Sequence, residues 1–221
     1  MKPFKPPTPL ATNTLMGLCV AVEAAALVGG PRFATQIELL LGLIPLRETL
    51  ALSGRGDLLL AVLTPFSHIL LHSGLAHLGL NMLFLAWVGR YVEWVTGRWA
   101  LIGLFVAGGV AGGLLQVLAG PHGMAPIVGA SGAIAAIFGA YAVLFSQSRV
   151  APRRVLGITI SAETINALWY AAAWIGLQLL TALVFNVGSG GAQIAIWTHI
   201  GGFITGLLLA RLWGPGPQPL P

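Results

Sequence analysis

The sequence predicts an all-α fold, in which six transmembrane helices form a polytopic bundle. Of its 221 residues, 57% are hydrophobic and only 8% are charged, and the mean hydropathy is +0.88. This composition is far more apolar than that of a soluble domain. Apolar runs of roughly 20 residues, long enough to cross a hydrocarbon core of about 30 Å, recur along the chain. Little sequence is left over for a soluble domain.

The first predicted span, near residues 11–29, follows a proline-rich leader at 1–10 that carries Lys2 and Lys5. No small-residue cleavage site convincingly follows this apolar run, so we expect it to remain in the protein as a helix. Residues 30–67 then mix charges with shorter apolar stretches. We expect this long connection to lie partly in the membrane interface.

The other five spans follow with shorter connections. They are placed near residues 68–89, 99–119, 127–147, 165–187 and 193–213. The predicted membrane domain therefore covers residues 11–213, and the proline-rich tail at 214–221 is expected to be disordered. A single cysteine, Cys19, excludes an intramolecular disulfide framework.

The distribution of cations predicts the orientation of the spans. With the N-terminus in the cytoplasm, that side collects eight cations: Lys2, Lys5, Arg90, Arg98, Arg149, Arg153, Arg154 and Arg211. The positive-inside rule therefore places both termini in the cytoplasm. The net charge of +5 is thus explained by topology, and no basic patch with interleaved aromatic residues indicates nucleic-acid binding. The alanine-, glycine- and arginine-rich composition favours a bacterial inner membrane.

A serine stands between glycines at the start of the uncharged fourth span, in Gly129-Ala130-Ser131-Gly132. His199 is the only histidine within any later apolar stretch, and no acidic residue lies near either one in sequence. A hydroxyl nucleophile needs a neighbouring base to be activated. Ser131 and His199 are therefore candidates for a nucleophile and a base inside a membrane.

The predicted topology places these two residues at one depth. The fourth and sixth spans both run inward, with Ser131 about four residues, or roughly 6 Å, below the start of its helix. His199 lies about six residues, or roughly 9 Å, into its own. The second span has the same direction and brings four polar residues to the same leaflet: His68, His72, His77 and Asn81.

Small residues recur every four positions on both helices, as Gly132, Ala136 and Ala140 on the fourth span and Gly202 and Gly206 on the sixth. This pattern permits close helix approach, which a hydroxyl–imidazole hydrogen bond requires. Such patterns are also common where helices merely pack together, so alone they do not indicate a site.

Three motifs resemble those of the rhomboid intramembrane serine proteases, over nearly the whole chain. Gly129-Ala130-Ser131-Gly132-Ala133 resembles the family's nucleophile motif, and the stretch from His199 to Gly206 resembles its catalytic-histidine helix. The stretch from His72 to Met82 is similar to the second-helix motif. Glu93 also matches a structural position in the family.

The resemblance implies a role for each matching residue. Ser131 would attack the scissile carbonyl after His199 takes its proton, as a catalytic dyad without a carboxylate. His77 and Asn81, four apart on one helical face, would hydrogen-bond the developing oxyanion together with the backbone N–H of Ser131. His72, Gly129 and Gly202 would support the site. His72 lies about 140° around a continuous helix from His77, so we expect it to hold water or a loop backbone.

Metal chemistry is the weaker interpretation of the histidines. His68 and His72 are four apart and in principle suit a metal or haem iron, but a polar cap at a helix entrance is favoured. The HExxH pair of zinc metalloproteases is absent from the sequence. We therefore expect no metal and no cofactor.

Two departures from the family pattern concern how the site is held. The family usually has a Trp-Arg pair nine and eight residues before the first motif histidine, where this chain has Leu63-Thr64. Some members place a tyrosine that stacks on the catalytic imidazole four residues after the nucleophile, where this chain has Ala135. Phe138 or Trp197 is expected to position His199 instead.

The predicted function is an intramembrane serine endopeptidase that cleaves transmembrane proteins near the outer membrane boundary. Transmembrane substrates and the lipid bilayer are the expected partners, and nucleic acid is not. One alternative is a catalytically inactive rhomboid-like scaffold that binds transmembrane clients. Another is a small transporter with a histidine proton relay, although the sequence shows no clear internal repeat.

Overall fold

The structure, a computed structural model, describes residues 8–145, 153–155, 158–162, 164–165, 168–170, 172–176 and 195–212. Most of these residues are helical. The helices are α1 (Leu10–Leu41), α2 (Pro45–Leu52), α3 (Leu58–Ser67), α4 (Leu75–Phe84), α5 (Arg90–Thr96), α6 (Arg98–Ala119), α7 (Ser131–Leu144) and α8 (Ile196–Leu209). A 3-10 turn (His68–Leu70) follows α3, a π-helical turn (Leu85–Gly89) joins α4 to α5, and another 3-10 turn (Ala210–Leu212) ends α8.

The first helix is longer than the predicted span. Helix α1 runs for 32 residues, with non-helical backbone angles at Gly30, directly before Pro31. Proline lacks an N–H and its ring clashes with the preceding turn, so the helix breaks here and restarts. The part before the break corresponds to the predicted span at 11–29. The part after the break lies in the segment that the sequence predicts as a connection, at 30–67.

A buried carboxylate fastens the start of α1 to α5. Glu93 accepts hydrogen bonds from the backbone N–H groups of Ala11 (2.8 Å) and Thr12 (2.9 Å) and from the Thr12 hydroxyl (2.8 Å). The first N–H groups of a helix have no partner within it, and the residue before α1, Pro9, supplies no side-chain cap. Glu93 therefore caps a helix from another part of the chain.

The predicted second helix is interrupted rather than continuous. Helix α3 and the 3-10 turn end at Leu70, the backbone is extended at Leu71, and α4 begins only after Gly74, which has φ of 103°. The two halves meet at an angle of 79°. A glycine adopts positive φ without the steric cost that a side chain imposes, so the chain turns at Gly74.

Helices α6, α7 and α8 pack against one another and carry the centre of the fold. Both α7 and α8 are shorter than the spans predicted at 127–147 and 193–213. Among the described residues, α1 and α6 are each long and apolar enough to cross a membrane, and the bent pair Leu58–Leu70 with Leu75–Thr96 is a third candidate. Residues 168–170 and 172–176 of the fifth predicted span are helical, while its end lies outside the described residues.

A short hairpin departs from the all-α prediction. Strands β1 (Arg153–Val155) and β2 (Ile158–Ile160) pair antiparallel, with Arg154 opposite Thr159. β-Branched residues predominate in β2, and their stiff side chains favour extended backbone. The leader before residue 8 and the tail at 214–221 lie outside the described residues.

The connection after α1 is tied to the loop that precedes α7. Leu43 and Ile127 form an isolated antiparallel bridge with hydrogen bonds of 3.0 and 2.8 Å. Arg47 donates to the carbonyl oxygens of Leu39 and Gly42 at the end of α1. The Thr64 hydroxyl donates to Glu48 at 2.7 Å, with both residues buried. Thr64, which stands in place of the family's arginine, thus contributes to holding this connection.

Candidate active site

Ser131 is the first residue of α7, rather than about four residues below its start as predicted. The residue two positions earlier, Gly129, has φ of 125°, and its N–H donates to the carbonyl oxygen of His68 at 3.0 Å. A Cβ atom at Gly129 would lie 2.8 Å from two ring atoms of His77. The positive φ and the lack of room for a Cβ atom therefore both favour glycine at position 129.

His199 lies in the first turn of α8, which begins at Ile196. The side chain of Gln116, near the end of α6, accepts a hydrogen bond from the Trp197 backbone N–H at 3.1 Å. This bond satisfies one of the unpaired N–H groups at the start of α8. Helix α6 thereby fixes the turn that carries His199.

The two helices approach closely because small residues face each other. A Cβ atom at Gly132 would lie 2.5 Å from the Thr198 side chain, one at Gly202 would overlap the Gly132 carbonyl oxygen, and one at Gly206 would overlap the Ala136 carbonyl oxygen. The contacts move from Gly132 to Ala136 on α7 as they move from Gly202 to Gly206 on α8, so the two helices run parallel. The small residues singled out by the sequence pattern therefore do form the helix contact.

The structure brings Ser131 and His199 into direct contact. The Nε2 atom of His199 lies 2.8 Å from the Ser131 hydroxyl oxygen. This distance is within hydrogen-bond reach of a general base and the group it deprotonates. The Nδ1 atom of His199 is buried and has no hydrogen-bond partner among the described residues. In the described part of the chain the pair thus stands without a third, carboxylate member.

His77 and Asn81 lie on one face of α4, as their spacing predicts. The Asn81 side-chain amide donates to the His77 carbonyl oxygen at 3.0 Å, which leaves its second N–H available. The ring of His77 faces Gly129, two residues before Ser131. The Ser131 backbone N–H is one of the N–H groups at the start of α7 that no helical carbonyl can reach.

The predicted angle between His72 and His77 does not hold, because His72 precedes α4. The two rings are in edge contact, with centroids 5.2 Å apart. Neither ring nitrogen of buried His72 has a hydrogen-bond partner among the described residues. His68, fully buried, hydrogen-bonds the Thr64 carbonyl oxygen through Nδ1 at 2.9 Å. No three metal-binding side chains are grouped in the described part of the chain.

Trp174 is a contact of His199 that sequence reasoning missed. Its ring meets the imidazole edge-on, with centroids 6.4 Å apart. Phe138 does not supply this contact but packs behind Trp174 at 5.4 Å, and the Trp197 side chain is 44% exposed. Ala135, which replaces the family tyrosine, is fully buried. No spacing rule links Trp174 to His199, since the two belong to different helical segments.

Comparison with known proteins identifies similar sequences. The family described as "Rhomboid domain" matches residues 60–215. The Rhomboid protease GluP of Bacillus subtilis is 32% identical over 153 residues, which is 69% of this chain and 26% of that protein. RHOMBOID-like protein 5 of Arabidopsis thaliana is 29% identical over 153 residues, or 69% of this chain and 44% of that protein. Rhomboid-related protein 3 of Homo sapiens is 39% identical over 75 residues, or 34% of this chain and 18% of that protein.

The matched stretch thus spans less than half the length of each of these relatives. The family match at residues 60–215 includes Ser131 and His199, together with the segment that carries His77 and Asn81.

Proposed function

We infer, since this chain belongs to the rhomboid family, that it is a serine endopeptidase that cleaves other proteins within the membrane. Members of the family are integral membrane proteins, and the apolar helices described above fit that placement. The observation that carries the proposal is the 2.8 Å contact between the Ser131 hydroxyl and His199 Nε2. We propose Ser131 as the nucleophile and His199 as the base.

In the first half of the reaction, the Ser131 oxygen forms a bond to the scissile carbonyl carbon while its proton moves to His199 Nε2. The tetrahedral intermediate then expels the amine of the C-terminal fragment, which takes that proton from His199. An acyl-enzyme on Ser131 remains. Water, deprotonated by His199, attacks the ester, and Ser131 recovers its proton as the N-terminal fragment leaves.

The negative charge that develops on the carbonyl oxygen needs preorganised hydrogen-bond donors. We propose that the Ser131 backbone N–H, His77 and Asn81 supply them. The position of Ser131 at the first residue of α7 supports this, because N–H groups and the positive end of the helix dipole favour an anion there. His72, Gly129 and Gly202 are proposed to support the site through the contacts described above.

The proposed substrates are transmembrane proteins cut near the outer membrane boundary. A helical substrate must unwind locally before its backbone reaches Ser131, which glycine or proline near the cut would make easier. Water must also enter, and the buried polar atoms of His72 and Thr198, which have no hydrogen-bond partner among the described residues, are suitable contacts for it. A small residue before the cut is proposed from the family alone.

The proposed arrangement in the membrane has six spans within residues 11–213 and both termini in the cytoplasm. Helices α1 and α6 would be the first and third spans and the bent pair the second, and the fourth, fifth and sixth spans would complete the count. The excess of cations on the inner side supports this orientation, and a bacterial inner membrane is the proposed location. The leader at 1–10 and the tail at 214–221 would then lie outside the bilayer.

Cleavage by the purified protein in liposomes tests the proposal. We would combine it with a panel of single-span proteins that carry glycine or proline near the outer end of their helix, and detect fragments by gel electrophoresis. Ser131→Ala and His199→Ala should each abolish cleavage, whereas Ser53→Ala, at an exposed position, should cleave as the wild type does. A fluorophosphonate probe should label Ser131 and no other residue, as read by peptide mass spectrometry.

Cleavage that survives in Ser131→Ala would exclude the proposed nucleophile. Absence of both cleavage and labelling in the wild type, with binding of the same panel retained, would favour the inactive scaffold. Proton flux through the liposomes without cleavage would favour the transporter.

A further inference from the structure

His77 is held at the start of α4 by the residue that precedes the Gly74 turn. The backbone N–H of Ser73 lies 3.4 Å from His77 Nδ1, and the Ser73 hydroxyl oxygen lies 3.1 Å from the same atom. A backbone N–H can only donate, so Nδ1 of His77 accepts. A side chain in the third position of a helix that reaches back to an earlier N–H is the arrangement of a capping box, here displaced by one residue.

This contact decides which nitrogen of His77 carries the proton. A neutral imidazole has one N–H and one lone pair, and the hydrogen bond at one nitrogen selects the state of the other. Because Nδ1 accepts from Ser73, the proton resides on Nε2. His77 therefore presents a donor, not a lone pair, at the Nε2 edge of its ring.

The Nε2 edge is the one that faces Gly129, two residues before the proposed nucleophile. A Cβ atom built on Gly129 would lie 2.8 Å from both Nε2 and Cε1 of His77, and 3.9 Å from the Ser131 hydroxyl oxygen. The ring of His72 also contacts the His77 ring edge-on, with centroids 5.2 Å apart. The ring of His77 is thus restrained in both its rotation and its tautomer.

We propose that Ser73 is a positioning residue that keeps the proton of His77 on Nε2 and directs this N–H toward the oxyanion formed at Ser131. The proposal rests on the proposed protease function, since it assigns His77 as an oxyanion donor. The side chain of Ser73 hydrogen-bonds His77 and neither Ser131 nor His199, so it acts through the ring of His77. The opposite tautomer would turn a lone pair toward the developing negative charge.

Ser73 suits a mutational test because its side chain is exposed. Removing its hydroxyl leaves no cavity in the core, and the backbone N–H still donates weakly. A neutral hydrogen bond contributes about 0.5–1.5 kcal/mol, so its loss should change a rate by roughly twofold to tenfold. Ser73→Thr keeps the hydroxyl and serves as the conservative variant, while exposed Ser53→Ala is the matched control.

The experiment has one readout that does not depend on catalysis. In protein with isotope-labelled histidine, 15N chemical shifts report the tautomer of His77, whose signal is identified by its loss in His77→Gln. We expect the wild type and Ser73→Thr to show the Nε2-protonated form. Ser73→Ala should gain a fraction of the Nδ1-protonated form and lose kcat roughly twofold to tenfold with KM unchanged.

Wild-type His77 protonated on Nδ1, or shifts that stay the same in Ser73→Ala, would overturn the positioning role even in a fully active protease. A loss of activity in Ser73→Thr equal to that in Ser73→Ala would also overturn it. An inactive wild type with the expected tautomer shift in Ser73→Ala would instead overturn the proposed function, and would leave Ser73 as the residue that sets the tautomer.

Discussion

Gly202 lies against the carbonyl oxygen of Gly132, the residue directly after Ser131, so closely that a Cβ atom at 202 would overlap it. Helices α7 and α8 are therefore in backbone contact one residue beyond the proposed nucleophile. His199 is three residues before Gly202 and meets Ser131 at 2.8 Å. The distance between hydroxyl and imidazole is thus set by a helix contact that tolerates no side chain.

Gly202→Ala should push α8 away from α7 and lower both activity and stability. Adding a methylene-sized group to a tightly packed contact costs about 1–3 kcal/mol, and even a small shift of His199 lengthens its bond to Ser131. We expect fluorophosphonate labelling to slow at least tenfold and the midpoint of thermal unfolding in detergent to fall.

The matched control is Gly103→Ala, on the exposed face of α6, where a Cβ atom meets nothing within 4 Å. Alanine has a higher helix propensity than glycine, by about 1 kcal/mol. This variant should keep full activity and an equal or higher midpoint. Equal labelling rates and equal midpoints in Gly202→Ala and Gly103→Ala would show that the close helix contact does not set the distance between Ser131 and His199.

Glu93→Gln should destabilise the attachment of α1. The carboxylate accepts three hydrogen bonds from Ala11 and Thr12 in a buried place, and an amide has only one oxygen to accept them. Leaving a buried polar group without its partner costs about 1–3 kcal/mol. Chemical unfolding of the single variants Glu93→Gln and Thr12→Val and of the double variant gives the coupling energy. If the two substitutions change the free energy of unfolding in a strictly additive way, the hydrogen bond between Thr12 and Glu93 is contradicted.

Glu48 should make stability depend on pH. Burial raises the pKa of this carboxyl above its ordinary value of 4.5, against the opposing effects of the Thr64 hydrogen bond and the charge of Arg47. Because the folded-state pKa is the higher one, the folded form binds the proton more tightly. The contribution of Glu48 is complete below the unfolded pKa and is lost as the pH rises through the folded pKa.

Thermal unfolding of the wild type across a range from about pH 4 to about pH 7 should therefore show a fall in stability that Glu48→Gln lacks. Thr64→Val removes the hydrogen bond that lowers the pKa of Glu48. In this variant the fall in stability should therefore extend to higher pH. A wild-type profile that rises over this range with a flat Glu48→Gln profile would contradict the sign of the shift.

Trp174 should position His199 through its ring. Trp174 is 2% exposed and meets the imidazole edge-on, and such ring pairs contribute about 0.5–1.5 kcal/mol beyond the area they bury. We expect Trp174→Leu to slow fluorophosphonate labelling of Ser131 by roughly twofold to tenfold. Trp174→Phe, which keeps an aromatic ring, should retain most of the rate.

Trp169→Ala is the control for loss of a tryptophan from the same segment, since Trp169 is 70% exposed. It should label at the wild-type rate. If Trp174→Leu labels at the wild-type rate, or if Trp174→Phe loses as much of the rate as Trp174→Leu, other contacts position His199.

The sequence alone determined the apolar character of the chain, the family to which it belongs and the residues to consider for the site, because composition and motif spacing are local properties. It could not determine that the segment around His72 bends, since that depends on the positive φ of Gly74. Only the tertiary structure decided which distant groups meet: Thr12 with Glu93, Thr64 with Glu48, Trp174 with His199 and Ser131 with His199. Such contacts depend on how helices rotate and how closely they approach, and a periodic pattern along one helix specifies neither.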